Sequence, residues 1–444
     1  MKLAQQLRSI ALSVVMGPGV QRLRRRLAEW VRRVAGRKHR VDVFLELDDP
    51  YSYLLSRYLP DLAARNGVDV RIYVVQALDE GYRPRPDLQA QYAQIDCERL
   101  ARELGIPFLD RGQAPPVEHR LALIDSLAEQ EQADDYAEQV NEALSLYWRG
   151  DSESVARRLL DISERKGPAM LARNQALLES RGHYNSAMLH YAGEWYWGVD
   201  RLHYLEERLD ALGAHRADAS APKIASLKQV SKVTLPVTPP NAATPLPALE
   251  FFFSFRSPYT YFAMERAFAI ADAFGLKLTL RPVLPMVMRG LPVPRNKLLY
   301  IAADTAREAR RLEIPFGKFA DPLGAGIERC LATYYYAVAE KREREFMVNA
   351  AQAIWAERID VATDAGLRKV TGRTGLFWPD VLAALGNDQW RAEVEQNRAD
   401  MMDAGSWGVP TVRLGEFVVW GQDRLWMLVR HIEDQCETGE GILI

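Results

Sequence analysis

Two β-type apolar runs, Val41–Leu47 and Leu249–Phe255, open two stretches of chain that then repeat one order of hydrophobic and polar positions. In each stretch the run leads to a turn bearing proline and then to an amphipathic helical period. A second apolar run follows, Val68–Val75 and Leu276–Val283, and then a long, mainly helical segment, Leu88–Leu178 and Lys297–Leu385. A loop–strand–turn–strand unit and a last helix close the pattern, in the second stretch at Gly408–Leu414, Glu416–Trp420 and Asp423–Asp434. Strand–helix–strand, a helical insertion, two strands and a helix is an α/β plan.

The two stretches align by residue. Residues 42–108 lie over 250–316 at a constant offset of 208 without a gap. Asp49–Tyr53 (Asp-Pro-Tyr-Ser-Tyr) falls on Ser257–Tyr261 (Ser-Pro-Tyr-Thr-Tyr), Gly67 on Gly275, Pro84 on Pro292 and Pro86 on Pro294. Tyr92, Asp96, Arg99, Ala101 and Leu104 fall on Tyr300, Asp304, Arg307, Ala309 and Leu312, and both segments end Ile-Pro-Phe. Further on, Trp197–Leu202 matches Trp420–Leu425 with a different gap. Self-similarity of this kind marks a tandem duplication. The expected organisation is a leader at 1–40, a first domain at 41–212, a linker at 213–247 rich in Ala, Pro and Ser, and a second domain at 248–444.

Composition changes this picture in one place. The chain has 444 residues, 48% hydrophobic and 26% charged, with net charge −2, a balance that implies no nucleic-acid partner. Residues 1–40, however, carry eleven Lys or Arg against one acid, Glu29, which leaves −12 for the remainder. Ile10–Met16 is a short apolar stretch ahead of the Arg cluster, unlike a secretory signal. From there Val20, Leu23, Leu27, Trp30, Val31 and Val34 recur at near-helical spacing among arginines. Two readings stay open: a basic amphipathic helix on an anionic membrane surface, or a solvated arm packing one stripe on the body. Cys97, Cys330 and Cys436 are scattered and form no CxxC pair, so a reducing cytoplasm is expected, with membrane association through residues 1–40 as the variant. The histidines show no metal-binding spacing, and no metal is expected.

Candidate chemistry concentrates in the second stretch. Ser257-Pro258-Tyr259-Thr260 lies between a strand and a helix, where backbone N–H groups favour an anion. A thiol oxidoreductase would place Cys-x-x-Cys there. With hydroxyls instead, the turn is suited to stabilise a thiolate brought by a cofactor, or Ser257 simply caps the helix. Pro410, in Gly408-Val409-Pro410-Thr411, is a candidate cis proline that would turn the Val409 backbone toward a peptide ligand; the alternative is a trans proline opening an edge strand. Asp423 either caps the last helix or binds an ammonium. Lys297 either meets a ligand carboxylate or is a solvated lysine.

Ser-Pro-Tyr after a strand, Lys297-x-x-Tyr300-x-x-x-Asp304, Ile314-Pro315-Phe316, Gly408–Thr411 and Trp420–Leu425 together resemble 2-hydroxychromene-2-carboxylate isomerases and kappa-class glutathione transferases, of the DsbA-like thioredoxin superfamily. The resemblance covers nearly all of 248–435 and, more weakly, 41–210. It implies two tandem thioredoxin-like domains, each with an inserted helical subdomain, and glutathione as cofactor. It implies that Ser257 donates a hydrogen bond to the glutathione thiolate and that Val409, before cis Pro410, pairs with the cysteinyl unit. Gln422 and Asp423 would hold the γ-glutamyl end, and Lys297 a carboxylate. The substrate would be a small aromatic or conjugated molecule.

The first copy differs at these positions: Asp49 stands for Ser257, Gln89 for Lys297, and Ser186 or Ala187 for Pro410. A carboxylate about 4 Å from a thiolate costs roughly 4 kcal/mol at an effective dielectric near 20, raising the thiol pKa by about three units. Without proline a trans peptide is expected there. The first copy therefore reads as a structural or regulatory partner, standing where kappa-class relatives place a second subunit and making a monomeric pseudo-dimer. A non-catalytic thioredoxin-like binding module is the rival reading for the whole chain. A thiol–disulfide oxidoreductase is suggested by superfamily alone.

Overall fold

The computed structural model describes residues 9, 13–14, 17–78, 82–108, 116–160, 165–220, 222–240, 245–291 and 293–438. Pro292 and most of Ile10–Met16 lie outside them. The chain divides into two compact units, residues 22–232 and residues 233–444 with the first 21.

In the first unit α1 (Pro18–Val34, from Arg22 onward) precedes β1 (His39–Leu45), α2 (Pro50–Ser56), α3 (Leu59–Arg65) and β2 (Val68–Val74). The helical insertion comprises α4 (Pro86–Leu104), α5 (Val117–Gln130), α6 (Tyr136–Arg149), α7 (Ser152–Leu160) and α8 (Gly167–Ser180). Then come β3 (Met188–Tyr191), β4 (Glu194–Trp197), α9 (Gly198–Ala211) and a short α10 (Leu227–Val230). The sheet order is β2-β1-β3-β4, parallel between β1 and β2 and antiparallel elsewhere.

The second unit repeats this order with β5 (Leu249–Phe253), α11 (Pro258–Ala273), β6 (Leu278–Pro282) and α12 (Arg295–Arg311). Its insertion continues through α13 (Ala325–Ala339), α14 (Glu343–Trp355), α15 (Asp364–Thr374), α16 (Trp378–Ala384) and α17 (Trp390–Asp403). β7 (Thr411–Leu414), β8 (Phe417–Trp420), a 3-10 turn at Gln422–Arg424 and α18 (Leu425–Thr438) close it. The sheet order is β6-β5-β7-β8 with the same polarities. Leu249 and Phe251–Phe253 are buried because β5 lies between two strands under the helices, which is why it reads as a continuous apolar run.

Register and side-chain ties repeat too. Val43 pairs with Ile72 and Leu189, and Phe251 with Leu280 and Val412. The Tyr51 hydroxyl donates to Asp96 at 2.8 Å and that of Tyr259 to Asp304 at 2.9 Å. Tyr53 and Tyr261 donate to the carbonyls of Pro107 and Pro315. Asn174 and Asn397 donate to the carbonyls of Val74 and Pro282 at 3.0 and 3.1 Å, fastening the last helix of each insertion to its outer strand. These equivalences set the α/β fold and its helical insertions on side chains as well as on topology.

Three boundaries differ from expectation. The second insertion runs to Asp403 rather than Leu385, because Trp390, Val394, Asn397 and Met401 bury one helical stripe. The expected linker is divided: residues 213–232 pack on the first unit, where Gly67 N–H donates to the Ala214 carbonyl at 2.7 Å and Tyr58 to the Ala225 carbonyl at 2.8 Å. Residues from 233 belong to the second unit, and there Pro239 lies against Gly275. The leader is divided likewise, since residues 22–40 join the first unit.

Candidate active site

Ser257 ends the loop after β5 in extended backbone (φ −93°, ψ 116°), and Pro258 takes the first helical position, where its missing N–H costs nothing. The Ser257 hydroxyl accepts from Thr260 N–H at 3.2 Å, so it is the N-cap of α11. The same hydroxyl donates its one hydrogen to the Val409 carbonyl at 3.3 Å. Cap and donor are therefore two ends of one group. The Val409–Pro410 peptide is cis. Gly421 N–H donates to the Pro410 carbonyl at 2.8 Å, and the Thr411 hydroxyl closes on the Gly408 carbonyl at 2.6 Å while meeting that of Ser406. Gly408 has no side chain because Trp420 Nε1 lies 2.9 Å from where a Cβ would sit. Val409 itself packs on Phe252, Val283 and Met401.

Gln422 is fully buried, and its amide is spent inside the protein. It donates to Glu308 at 2.7 Å and to Asp423, and accepts from Arg266 at 2.8 Å, which also holds the Gln422 carbonyl at 3.1 Å. The Gln422 side chain thus supports the turn that carries Asp423. Arg266 and Glu308, which sequence reasoning missed, complete this network. Burial works against the Arg266 charge, while Asp423 favours it. Asp423 sits inside the 3-10 turn, with Gly421 rather than Asp423 at the position that precedes it. Lys297 lies in the first turn of α12, half-buried, and burial pushes its ammonium pKa down. The structure thus brings Ser257, Val409 and Pro410 together, and joins Gln422 to Asp423.

The first unit uses the same frame differently. Asp49 caps α2, accepting from Tyr51 N–H at 3.1 Å, Ser52 N–H at 3.2 Å, and the hydroxyls of Ser52 and Ser186 at 2.8 and 3.0 Å. Gly198 N–H donates to the Ala187 carbonyl at 2.7 Å, which makes Ala187 the counterpart of Pro410. Beneath Asp49, burial and then the charges of Asp49 and Asp48 push the Glu46 carboxyl up to about 8. Burial likewise raises Asp49. Where the second unit has Arg266, Glu308 and Gln422, the first has Tyr58, Leu100 and Val199, all buried.

A parallel pair of strands continued by an antiparallel hairpin, an N-capped helix facing a cis-proline loop, and an inserted helical bundle define a thioredoxin-type domain. Residues 248–433 match the family model described as DSBA-like thioredoxin domain, so this C-terminal part of the chain is a DsbA-like thioredoxin domain. Its named relatives are enzymes. The chain is 26% identical to the 2-hydroxychromene-2-carboxylate isomerase of Pseudomonas putida over 188 residues, 40% of this chain and 91% of that protein. It is 25% identical to that of Sphingobium xenophagum over 194 residues, 42% of this chain and 98% of that protein. A solved 2-hydroxychromene-2-carboxylate isomerase aligns at 25% identity over 43% of this chain and 96% of its own, with a TM-score of 0.38.

Proposed function

We propose that the C-terminal domain is a glutathione-dependent isomerase of the 2-hydroxychromene-2-carboxylate isomerase type, acting on a small aromatic or conjugated molecule, with kappa-type glutathione transfer as the related activity. The observation that carries this reading is the Ser257 hydroxyl, held between the N-terminus of α11 and the Val409 carbonyl. A hydroxyl has one hydrogen and two lone pairs, so Ser257 keeps its cap while redirecting its longest bond, 3.3 Å, to an incoming sulfur.

The residues fit the tripeptide by donor chemistry. Ser257 offers a hydrogen bond for a thiolate, the Val409 backbone offers strand-like pairing for the cysteinyl unit, Asp423 suits the ammonium and Lys297 a carboxylate. Bound glutathione would supply a thiolate whose reversible addition to a conjugated alkene allows cis–trans rotation. This chain's part is electrostatic. A hydrogen bond to a charged acceptor contributes about 1.5–3 kcal/mol, and the helix N-terminus about 0.3–1 kcal/mol. Together they hold the thiol ionised near neutral pH. The Arg266–Gln422–Glu308 network fixes the turn that presents Asp423. Disulfide exchange lies outside this reading, because the Ser257 turn carries no cysteine and the buried Cys330 thiol is pushed up to about 12.

Calorimetry of the full chain with reduced glutathione tests the proposal. Wild type binds, and Ser257→Ala and Lys297→Ala each weaken binding by roughly ten- to a hundredfold, as expected for one charge-assisted bond. Absence of binding by the folded wild type overturns the proposal in favour of a non-catalytic binding module.

A further inference from the structure

The helix α1 is turned inside out. An amphipathic helix on a globular protein ordinarily packs its apolar stripe inward. At 100° per residue, Leu23, Leu27, Trp30, Val31 and Val34 fall within one arc of about 100°, and these five side chains are between 51% and 70% exposed. The face toward the first unit is polar. Arg25 makes a bidentate pair with Glu194 at 2.7 and 2.8 Å, and Arg32 binds Glu29 and the Arg37 carbonyl at 2.9 and 2.7 Å. Glu29, the one acid in residues 1–40, is on this inner face and is held at about 2, chiefly by its hydrogen bond from Arg32. The Arg25–Glu194 pair ties this polar face to β4 and so fixes which stripe looks out, while Arg32 holds Glu29 within the helix.

The flanks of the apolar stripe carry Arg24 on one side and Arg22, Arg26 and Arg33 on the other, all exposed, Arg33 reaching back to Glu29 at 2.6 Å, and Arg37 and Lys38 follow the helix, exposed as well. A contiguous exposed apolar patch marks an interaction surface, and the charge around it selects the occupant. A second copy of this helix would set arginines against arginines, and a nucleic acid would leave the apolar stripe in water. An anionic bilayer satisfies both features: apolar side chains enter the headgroup–acyl boundary while guanidinium groups meet lipid phosphates.

We propose that α1 docks the protein on anionic membrane surfaces, with Leu23, Leu27, Trp30, Val31 and Val34 inserted and Arg22, Arg24, Arg26 and Arg33 at the headgroups. The stripe from Leu23 to Val34 spans roughly 16 Å along the helix, so the helix lies in the interface plane. This proposal is independent of the glutathione reading.

Flotation of the full chain with phosphatidylcholine vesicles, with and without about a third phosphatidylglycerol, tests it. The expected result is flotation with the anionic vesicles alone, reversed by high salt. Arg24→Glu with Arg26→Glu and Arg33→Glu lowers partitioning on the order of a hundredfold or more. Leu27→Glu with Trp30→Glu abolishes it; both positions are exposed, so the fold tolerates the change. A blue shift of emission on anionic vesicles, absent in Trp30→Phe, places Trp30 in the interface. Three results overturn the proposal: no flotation of the folded wild type, equal flotation with neutral vesicles, or a concentration-dependent dimer in solution that Leu27→Glu dissociates.

Discussion

Replacing Glu308 by Leu is expected to destabilise the C-terminal domain by roughly 2–3 kcal/mol, although the same residue type serves at the equivalent position, Leu100, in the first unit. The Glu308 carboxylate is fully buried and accepts from Gln422 at 2.7 Å and from Arg311 at 3.0 Å. Removing it deletes a charge-assisted bond of about 1.5–3 kcal/mol and leaves the Gln422 amide short of an acceptor. It also takes away a negative charge that offsets the cost of desolvating Arg266. The first unit supplies the compensating change. Arg266→Phe with Gln422→Val and Glu308→Leu installs its apolar trio, and such wholesale replacement is often neutral, so the triple variant is expected within about 1 kcal/mol of wild type. Phe is chosen at 266 because the Tyr58 hydroxyl has its acceptor in the Ala225 carbonyl. Urea unfolding of the full chain reads the effect, with hydrogen exchange at α11 assigning the transition to the second unit. At about 2 kcal/mol per M urea, the single variant moves the midpoint down by about 1–1.5 M and the triple variant restores it. A neutral Glu308→Leu, or a triple variant as unstable as the summed singles, would refute the idea of one self-contained network.

Two further outcomes concern the cap Ser257 and the buried Glu46, whose carboxyl feels the charge of the cap Asp49. Ser257→Cys places a thiol at the N-terminus of α11, where its pKa falls. If glutathione seats there, attack on oxidised glutathione forms a protein–glutathione disulfide and releases one reduced glutathione. Mass spectrometry should show that adduct at position 257 well ahead of Cys97, Cys330 and Cys436; no preference would count against the site. In the first unit the folded pKa of Glu46 is raised to about 8 from 4.5, so the folded state holds the proton more tightly than the unfolded one. Stability from that proton is full below about 4.5 and is lost as pH rises toward about 8. The first unit should therefore weaken across that window, and Glu46→Gln should flatten the profile; an unchanged slope would contradict the assignment.

Much of the fold was legible because one pattern of residues occurs twice along the chain. The runs at 42–108 and 250–316 share one offset, and the ties Tyr51–Asp96 and Tyr259–Asp304 occur at that offset in space. What periodicity missed was α17: Trp390–Asp403 buries only a thin stripe and is otherwise polar, so its helical signal is weak. The linker was overextended because Ala, Pro and Ser content does not report that Tyr58 and Gly67 have acceptors in Ala225 and Ala214. In the site, the Ser257 turn and the proline loop stood out in local sequence, each with two readings open. The burial of Gln422 was not, since its partners Arg266 and Glu308 are over a hundred residues away. The signal was present between the copies: Arg266, Glu308 and Gln422 all become apolar together at Tyr58, Leu100 and Val199.

In the proposed function, Ser257 and the start of α11 hold a borrowed thiol in its ionised form. Ultraviolet titration of the thiolate of glutathione bound to the full chain measures this directly. The expected pKa lies about 1.5–2 units below the ordinary thiol value near 8.5, with a return toward that value in Ser257→Ala. A bound thiol titrating as it does free in solution, with wild type and Ser257→Ala alike, would contradict it.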